Sequence, residues 1–170
     1  MSEQREQNET ERRVEELASE LHDEWRAPRW REETKDYEPR IKGTKDELWQ
    51  IGHDGKKEVD IANTPYRDLP EDWKGENKIS AEVAVGEIEK AKAAGEKNLR
   101  GDAFIEKASA VMHEKWLERN GSWAPPEQNK PYAELSEEEK EKDRVIIRKA
   151  EYMERMERIE DGRFGPRVKP

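Results

Sequence analysis

The sequence predicts a mainly α-helical protein: two pseudo-symmetric helix–loop–helix repeats sharing one core, with a short β-hairpin in the first repeat. Three observations carry this. Apolar residues recur at steps of three and four in four long segments, which is the period of a helix face. The stretch "LASELHDEWRAPRW" from Leu17 is echoed by "ASAVMHEKWLERNGSW" from Ala108, matching Val14 to Ile105, Leu21 to Met112, His22 to His113, Asp23 to Glu114 and Trp25 to Trp116. A second echo pairs "TPYRDLPEDWKGENKI" with "KPYAELSEEEKEKDRV", so that Pro65 meets Pro131, Tyr66 meets Tyr132, Leu69 meets Leu135 and Asn77 meets Asp143. The first echo has an offset of 91 and the second of 66, so the first copy carries about twenty-five extra residues between its two helices.

Element by element, residues 1–11 have no apolar period and are expected to be a disordered tail. The first repeat is expected over 12–94. Its first helix carries Val14, Leu17, Ala18, Leu21 and Trp25 on one stripe and ends at Pro28. Breakers Pro28, Pro39 and Gly43 make the following stretch irregular. "LWQIGHDGKKEVDIAN" then predicts an antiparallel hairpin over 48–61, because Asp54–Gly55 is a hairpin-turn pair and Val59 and Ile61 alternate. "LPEDW" opens the second helix, with Pro70 in a first turn and Glu71 and Asp72 at the positive end of the helix dipole.

Gly95 and Gly101 bracket a linker over 95–102, and the second repeat is expected over 103–158. Asp102 is placed to cap its first helix, which carries Ile105, Ala108, Ser109, Met112 and Trp116 and stops at Asn120–Gly121. After the Pro-rich loop "SWAPPEQNKPY", Ser136 and Glu139 form an S-x-x-E capping box for the last helix. Residues 159–170 are expected to be a C-terminal tail.

Composition narrows function. The chain has 170 residues, of which 44% are charged and 31% apolar, so its six Trp and four Tyr must supply much of the burial. A net charge of −9 with no basic stripe argues against nucleic acid as a partner. No apolar run approaches a membrane span, and the acidic, polar start argues against a secretory signal, so the expected location is the cytoplasm. The absence of Cys removes disulfides and thiolate chemistry.

These residues resemble the ryanodine-receptor repeat (RyR) domain. The shared features are "MHEKW", "NGSW" and "KPYAELSEEEKEKDR" in the second copy and "LHDEW" and "TPYRDLPEDWKGEN" in the first, where a longer insertion replaces the Gly-Trp element. RyR domains occur in tandem in large calcium-release channels and in small bacterial proteins. The resemblance implies a helical, pseudo-symmetric regulatory module whose tandem copies hold an adenine nucleotide or a drug-like aromatic between paired Trp side chains.

The candidate site residues follow. Trp25 and Trp116 either pack in the core or stack a purine held between the repeats, and Trp123, with Trp30, is a candidate cleft wall. His22 and His113 either donate to a loop carbonyl and pin the Pro-Tyr segment or touch the ligand. Tyr66 and Tyr132 are expected to tie their hydroxyls to a neighbouring helix, and Arg144 either reaches a phosphate or pairs with a carboxylate. Neither "HDEWR" nor "HEKWL" has a second His one turn on, so no metal is expected, and no cofactor. Nucleophile-elbow, Walker and dinucleotide-binding patterns are missing. The expectation is therefore a non-enzymatic sensing protein whose ligand is a nucleotide or nucleoside derivative. A protein–protein interaction module, using the cleft or the 48–61 hairpin, is the alternative, and an enzyme of unknown chemistry the third reading.

Overall fold

The computed structural model describes residues 2–164, and among them the fold is mainly helical, with two small antiparallel strand pairs. Five α-helices are present: α1 (Ser2–Arg26), α2 (Glu47–Gly52), α3 (Glu71–Ala93), α4 (Asp102–Asn120) and α5 (Glu137–Phe164). Strands β1 (Trp30–Arg31) and β2 (Asp36–Tyr37) form one pair, and β3 (Ile41–Gly43) and β4 (Glu58–Asp60) the other. Short 3₁₀ turns occupy Ala27–Arg29, Tyr66–Asp68 and Tyr132–Glu134. Among the described residues no helix is long and apolar enough to cross a membrane. Contacts divide the chain into two compact units, Val14–Ile79 and Met1–Arg13 with Ser80–Pro170, so α1 and α3 each contribute to both.

In the unit Val14–Ile79, the α1 stripe buries Val14, Leu17 and Ala18, and the rest of the core comes from Val59, Ile61, Ala62, Tyr66 and Leu69. Here the predicted 48–61 hairpin is corrected. Residues 47–52 form α2, capped at its start by the Asp46 carboxylate, which accepts from Trp49 N at 3.1 Å. Asp54 and Gly55 do adopt left-handed backbone (φ 59° and 75°), as their sequence suggests, but they end a helix instead of joining two strands. Gly55 N–H donates back to the Gln50 carbonyl at 2.8 Å. Only β4 of the predicted pair exists, and its partner is β3, on the far side of α2, in the register Ile41↔Asp60, Lys42↔Val59 and Gly43↔Glu58. Asp46 also accepts from Glu71 N at 2.8 Å, and the Trp73 indole donates to the Gly43 carbonyl at 2.8 Å, so the inserted segment is tied to the start of α3.

The other unit buries Ala84, Val85 and Ile88 of α3, Phe104, Ile105, Ala108 and Met112 of α4, and Ile147 and Ala150 of α5, with α4 packed on α5. Its N-terminal segment differs from the expected tail over 1–11, because α1 already begins at Ser2. Polar contacts replace an apolar period there. Thr10 donates to Glu89 at 2.7 Å, and Arg13 Nε donates to Glu157 at 3.0 Å, with Arg12 on the same carboxylate. Gly101, not Asp102, is the N-cap of α4, leaving Asp102 in the first turn. Ser136 caps α5 as its motif predicts, accepting from Glu139 N at 3.1 Å. The helix continues to Phe164, so 159–164 of the expected tail are helical, and 165–170 lie outside the described residues.

Candidate functional site

The two echoes build the same local geometry. His22 on α1 is 3% exposed, and its Nε2–H donates to the Thr64 carbonyl at 2.8 Å. His113 on α4 is 4% exposed, and its Nε2–H donates to the Lys130 carbonyl at 2.7 Å. Each acceptor lies directly before a Pro-Tyr pair, so each imidazole clasps the loop that leads into the second helix of its copy. A buried carbonyl outside regular structure needs such a donor, and a buried imidazole needs a partner in turn. Burial holds the His22 pKa below its ordinary value, with the Thr64 hydrogen bond working against it.

One helical turn on, each His stacks on its Trp. The ring centroids of His22 and Trp25 are 5.8 Å apart at 17°, and those of His113 and Trp116 are 5.9 Å apart at 15°. Neither Trp is core. Trp25 is 37% exposed, with the Arg29 guanidinium 4.5 Å from its ring centroid, and Trp116 is half-buried. Trp123 stands edge-on to Trp116 at 5.9 Å and is 64% exposed. Its indole donates to Asn120, whose amide donates to the Trp116 carbonyl, so the loop Trp is held to the end of α4. Trp30 packs edge-on against Tyr37 at 4.9 Å across β1 and β2.

The tyrosines anchor the turns. Tyr66 and Tyr132 are both buried, each opening a 3₁₀ turn, with the Lys74 and Lys140 ammonium groups 5.3 and 5.5 Å from their ring centroids. Tyr132 donates its hydroxyl to Glu106 on α4 at 3.0 Å. Arg144 is committed to carboxylates: its Nε and Nη2 donate to Glu106 at 2.6 and 3.0 Å, and Nη1 donates to Glu137 at 3.0 Å. That fork holds the Glu106 carboxyl below its usual range.

Beside His113 lies a second, largely buried ionisable group. Asp143 Oδ2 lies 3.9 Å from His113 Nδ1, with the Asp side chain only 16% exposed. Burial, reinforced by the nearby Glu139 carboxylate, pushes the Asp143 carboxyl up to about 7. Its counterpart in the first copy, Asn77, cannot ionise.

Two features escaped the sequence reading. Leu48 and Ile51 of α2 are 82% and 77% exposed, one turn apart on the same helix. A cavity of about 170 Å³ lies between the segment after α3 and one face of α5. Nothing in the spacing of the sequence brings residues 97–100 to residues 151–158. Among the described residues no group of three or more metal-ligating side chains is present. No family model, no curated protein and no solved structure matches the chain.

Proposed function

We propose that the protein is a non-enzymatic RyR-like binding module in which tandem His–Trp elements present aromatic faces to a planar ligand, a nucleotide or nucleoside derivative. The observation that carries this reading is the doubled His–Trp stack. In each copy a buried His, fixed by a loop carbonyl, sets the orientation of a Trp that keeps part of its surface open. A core Trp needs no such exposure. A stacking Trp needs an accessible face and a fixed ring, because immobilising the ring beforehand lowers the entropic cost of binding; at Trp25 the Arg29 guanidinium lies over the ring, and a planar ligand takes its place there. Trp123 supplies a second aromatic wall in the later copy. Arg144 has no part in this reading, since Glu106 and Glu137 already occupy its guanidinium.

Quenching of Trp fluorescence by a panel of adenine and guanine nucleotides and cyclic dinucleotides tests the proposal, with a melting curve beside each titration. Trp25→Ala and Trp116→Ala are each expected to weaken binding about 5- to 150-fold, the value of roughly 1–3 kcal/mol per lost stacking face. Trp49→Ala, in α2, is expected to leave it unchanged. Folded variants that bind as the parent does would exclude stacking on these rings.

The exposed Leu48 and Ile51 favour a second reading, a protein-interaction module working through α2. Two aliphatics this exposed, one turn apart on a short, capped helix, form a small apolar face suited to a partner's apolar surface. A partner recovered with the parent chain and lost with Leu48→Glu/Ile51→Glu, while nucleotides leave the melting curve unmoved, would establish this reading over the first.

A further inference from the structure

The geometry points to a phosphate-binding site at the cavity between the α3–α4 connection and α5, at which Lys97, Arg100 and Arg158 bind the anionic group of a small phosphorylated molecule. The cavity has a volume of about 170 Å³. That is about ten times the roughly 10–15 Å³ that one water needs, which suits a phosphate or pyrophosphate with part of its hydration.

Its charge runs against the rest of the molecule. Glu151 and Glu154 form the buried wall, 6% and 5% exposed, and both are already neutralised. Arg155 donates to Glu151 from Nε and Nη2 at 3.0 and 3.2 Å, and Lys92 pairs with Glu154. The third lining carboxylate, Glu96, lies 3.9 Å from Lys107, outside the cavity lining. The remaining cations have little or no local compensation. Among the described residues Lys97 and Arg100 form no ion pair, and Arg158 reaches Glu154 only at 4.0 Å with its side chain 62% exposed. A lining of five cations and three carboxylates, in a chain of net charge −9, leaves an excess of positive charge facing a concave space. Such a concavity focuses its field on a small anion. Guanidinium groups suit phosphate oxygens through their forked donors, and a Lys adds a point charge.

The segment that carries Lys97 and Arg100 is set in place by the end of α3. Gly95 takes a left-handed conformation (φ 80°), and Glu96 N–H donates to the Ala91 carbonyl at 2.9 Å, closing the helix and sending the chain across α5. The site is distinct from the aromatic one. It shares no lining residue with the aromatic elements, and Trp116 lies fourteen residues along α4 from Asp102, about 21 Å at 1.5 Å per residue.

Thermal unfolding of the full chain against sodium pyrophosphate and inorganic phosphate, with sodium chloride at matched ionic strength as the control, tests the site. Pyrophosphate is expected to raise the midpoint in proportion to ln(1 + [L]/Kd), beyond any effect of chloride. Lys97→Ala/Arg100→Ala is expected to weaken pyrophosphate binding at least tenfold, and Trp116→Ala to leave it intact. An unpaired pair of exposed cations can be removed without disturbing the core, and the ligand-free melting curve of the double variant reports on that directly. A response to pyrophosphate no larger than to chloride, or an undiminished response in the double variant, overturns the proposal. Loss of the response in Trp116→Ala would instead assign it to the aromatic site and equally overturn a separate one.

Discussion

The segments 14–79 and 103–158 share a local plan, yet ionisation acts on them in opposite directions. Both clasp a loop carbonyl with a buried His, stack that His on a Trp, and place a Lys over a Tyr at the start of a 3₁₀ turn. In the first, burial lowers the His22 pKa from its ordinary 6.5. The folded state therefore holds fewer protons than the unfolded chain below pH 6.5, so this contribution to stability is full above that value and is lost as pH falls from there through the lower folded pKa. In the second, Asp143 titrates near 7 against 3.8 in the unfolded chain. The folded state holds the extra proton between those values, so this contribution fades as pH rises from about 4 to about 7. What the comparison teaches is that the His–carbonyl clasp is shared, whereas the group that answers to pH differs: the buried imidazole itself in the first, a carboxyl beside the imidazole in the second.

The largest expected effect tests the shared part. His22→Ala and His113→Ala each strand a carbonyl and leave a void, at a cost of about 2–3 kcal/mol each. Urea unfolding of the two variants should show similar losses. A large loss for one and none for the other would end the equivalence of the clasps. Next comes the differing part. Asp143→Asn copies Asn77 into the second copy and should stabilise the protein at pH 8 by on the order of 2 kcal/mol, with little gain at pH 4. For a chain of this length that is several degrees in melting temperature. An equal gain at both pH values would mean that the Asp143 charge is not the cause. The smallest effect concerns the core. Ser109 is fully buried, and among the described residues its hydroxyl has no hydrogen-bond partner, whereas its counterpart Ala18 has no hydroxyl to satisfy. Ser109→Ala should therefore raise stability by about 1 kcal/mol, measured by the same unfolding curves.

The legibility of these features in the sequence follows one physical rule. Elements that bury their apolar residues are legible: the stripes of α1 and α4 repeat at helical spacing because each faces a core. The α2 segment reads as a strand because Asp54–Gly55 is a hairpin-turn pair and Val59 and Ile61 alternate, while Leu48 and Ile51 face solvent, so burial imposes no helical stripe to oppose that signal. Asp46 as N-cap and Gly55 after the last turn were the signals that could have found it. The β3–β4 pair was missed because three-residue strands separated by a helix leave no alternation to read. At the site, the clasp, the tie from Tyr132 to α4 and the carboxylate partners of Arg144 were each among the structural readings of those residues, because buried polar groups have few ways to be satisfied. The exposure of Trp25 is not legible, since an aromatic residue on a helix stripe reads alike in sequence whether its face is covered or open, whereas the loop position of Trp123 marks it as a wall residue.

The His–carbonyl clasp also makes each copy a port for new chain. The clasp closes a span of 42 residues in the first copy and 17 in the second, with equivalent geometry at the point of closure. Because the entropy of closing a loop grows only with the logarithm of its length, the longer excursion costs about 0.8 kcal/mol more than the shorter. Less than one ordinary hydrogen bond thus separates a bare loop from one carrying a helix and two strand pairs. Sequence grafted between the Trp and the Pro-Tyr turn, whether a tag, a reporter or a recognition loop, should leave the scaffold standing so long as the His keeps its carbonyl.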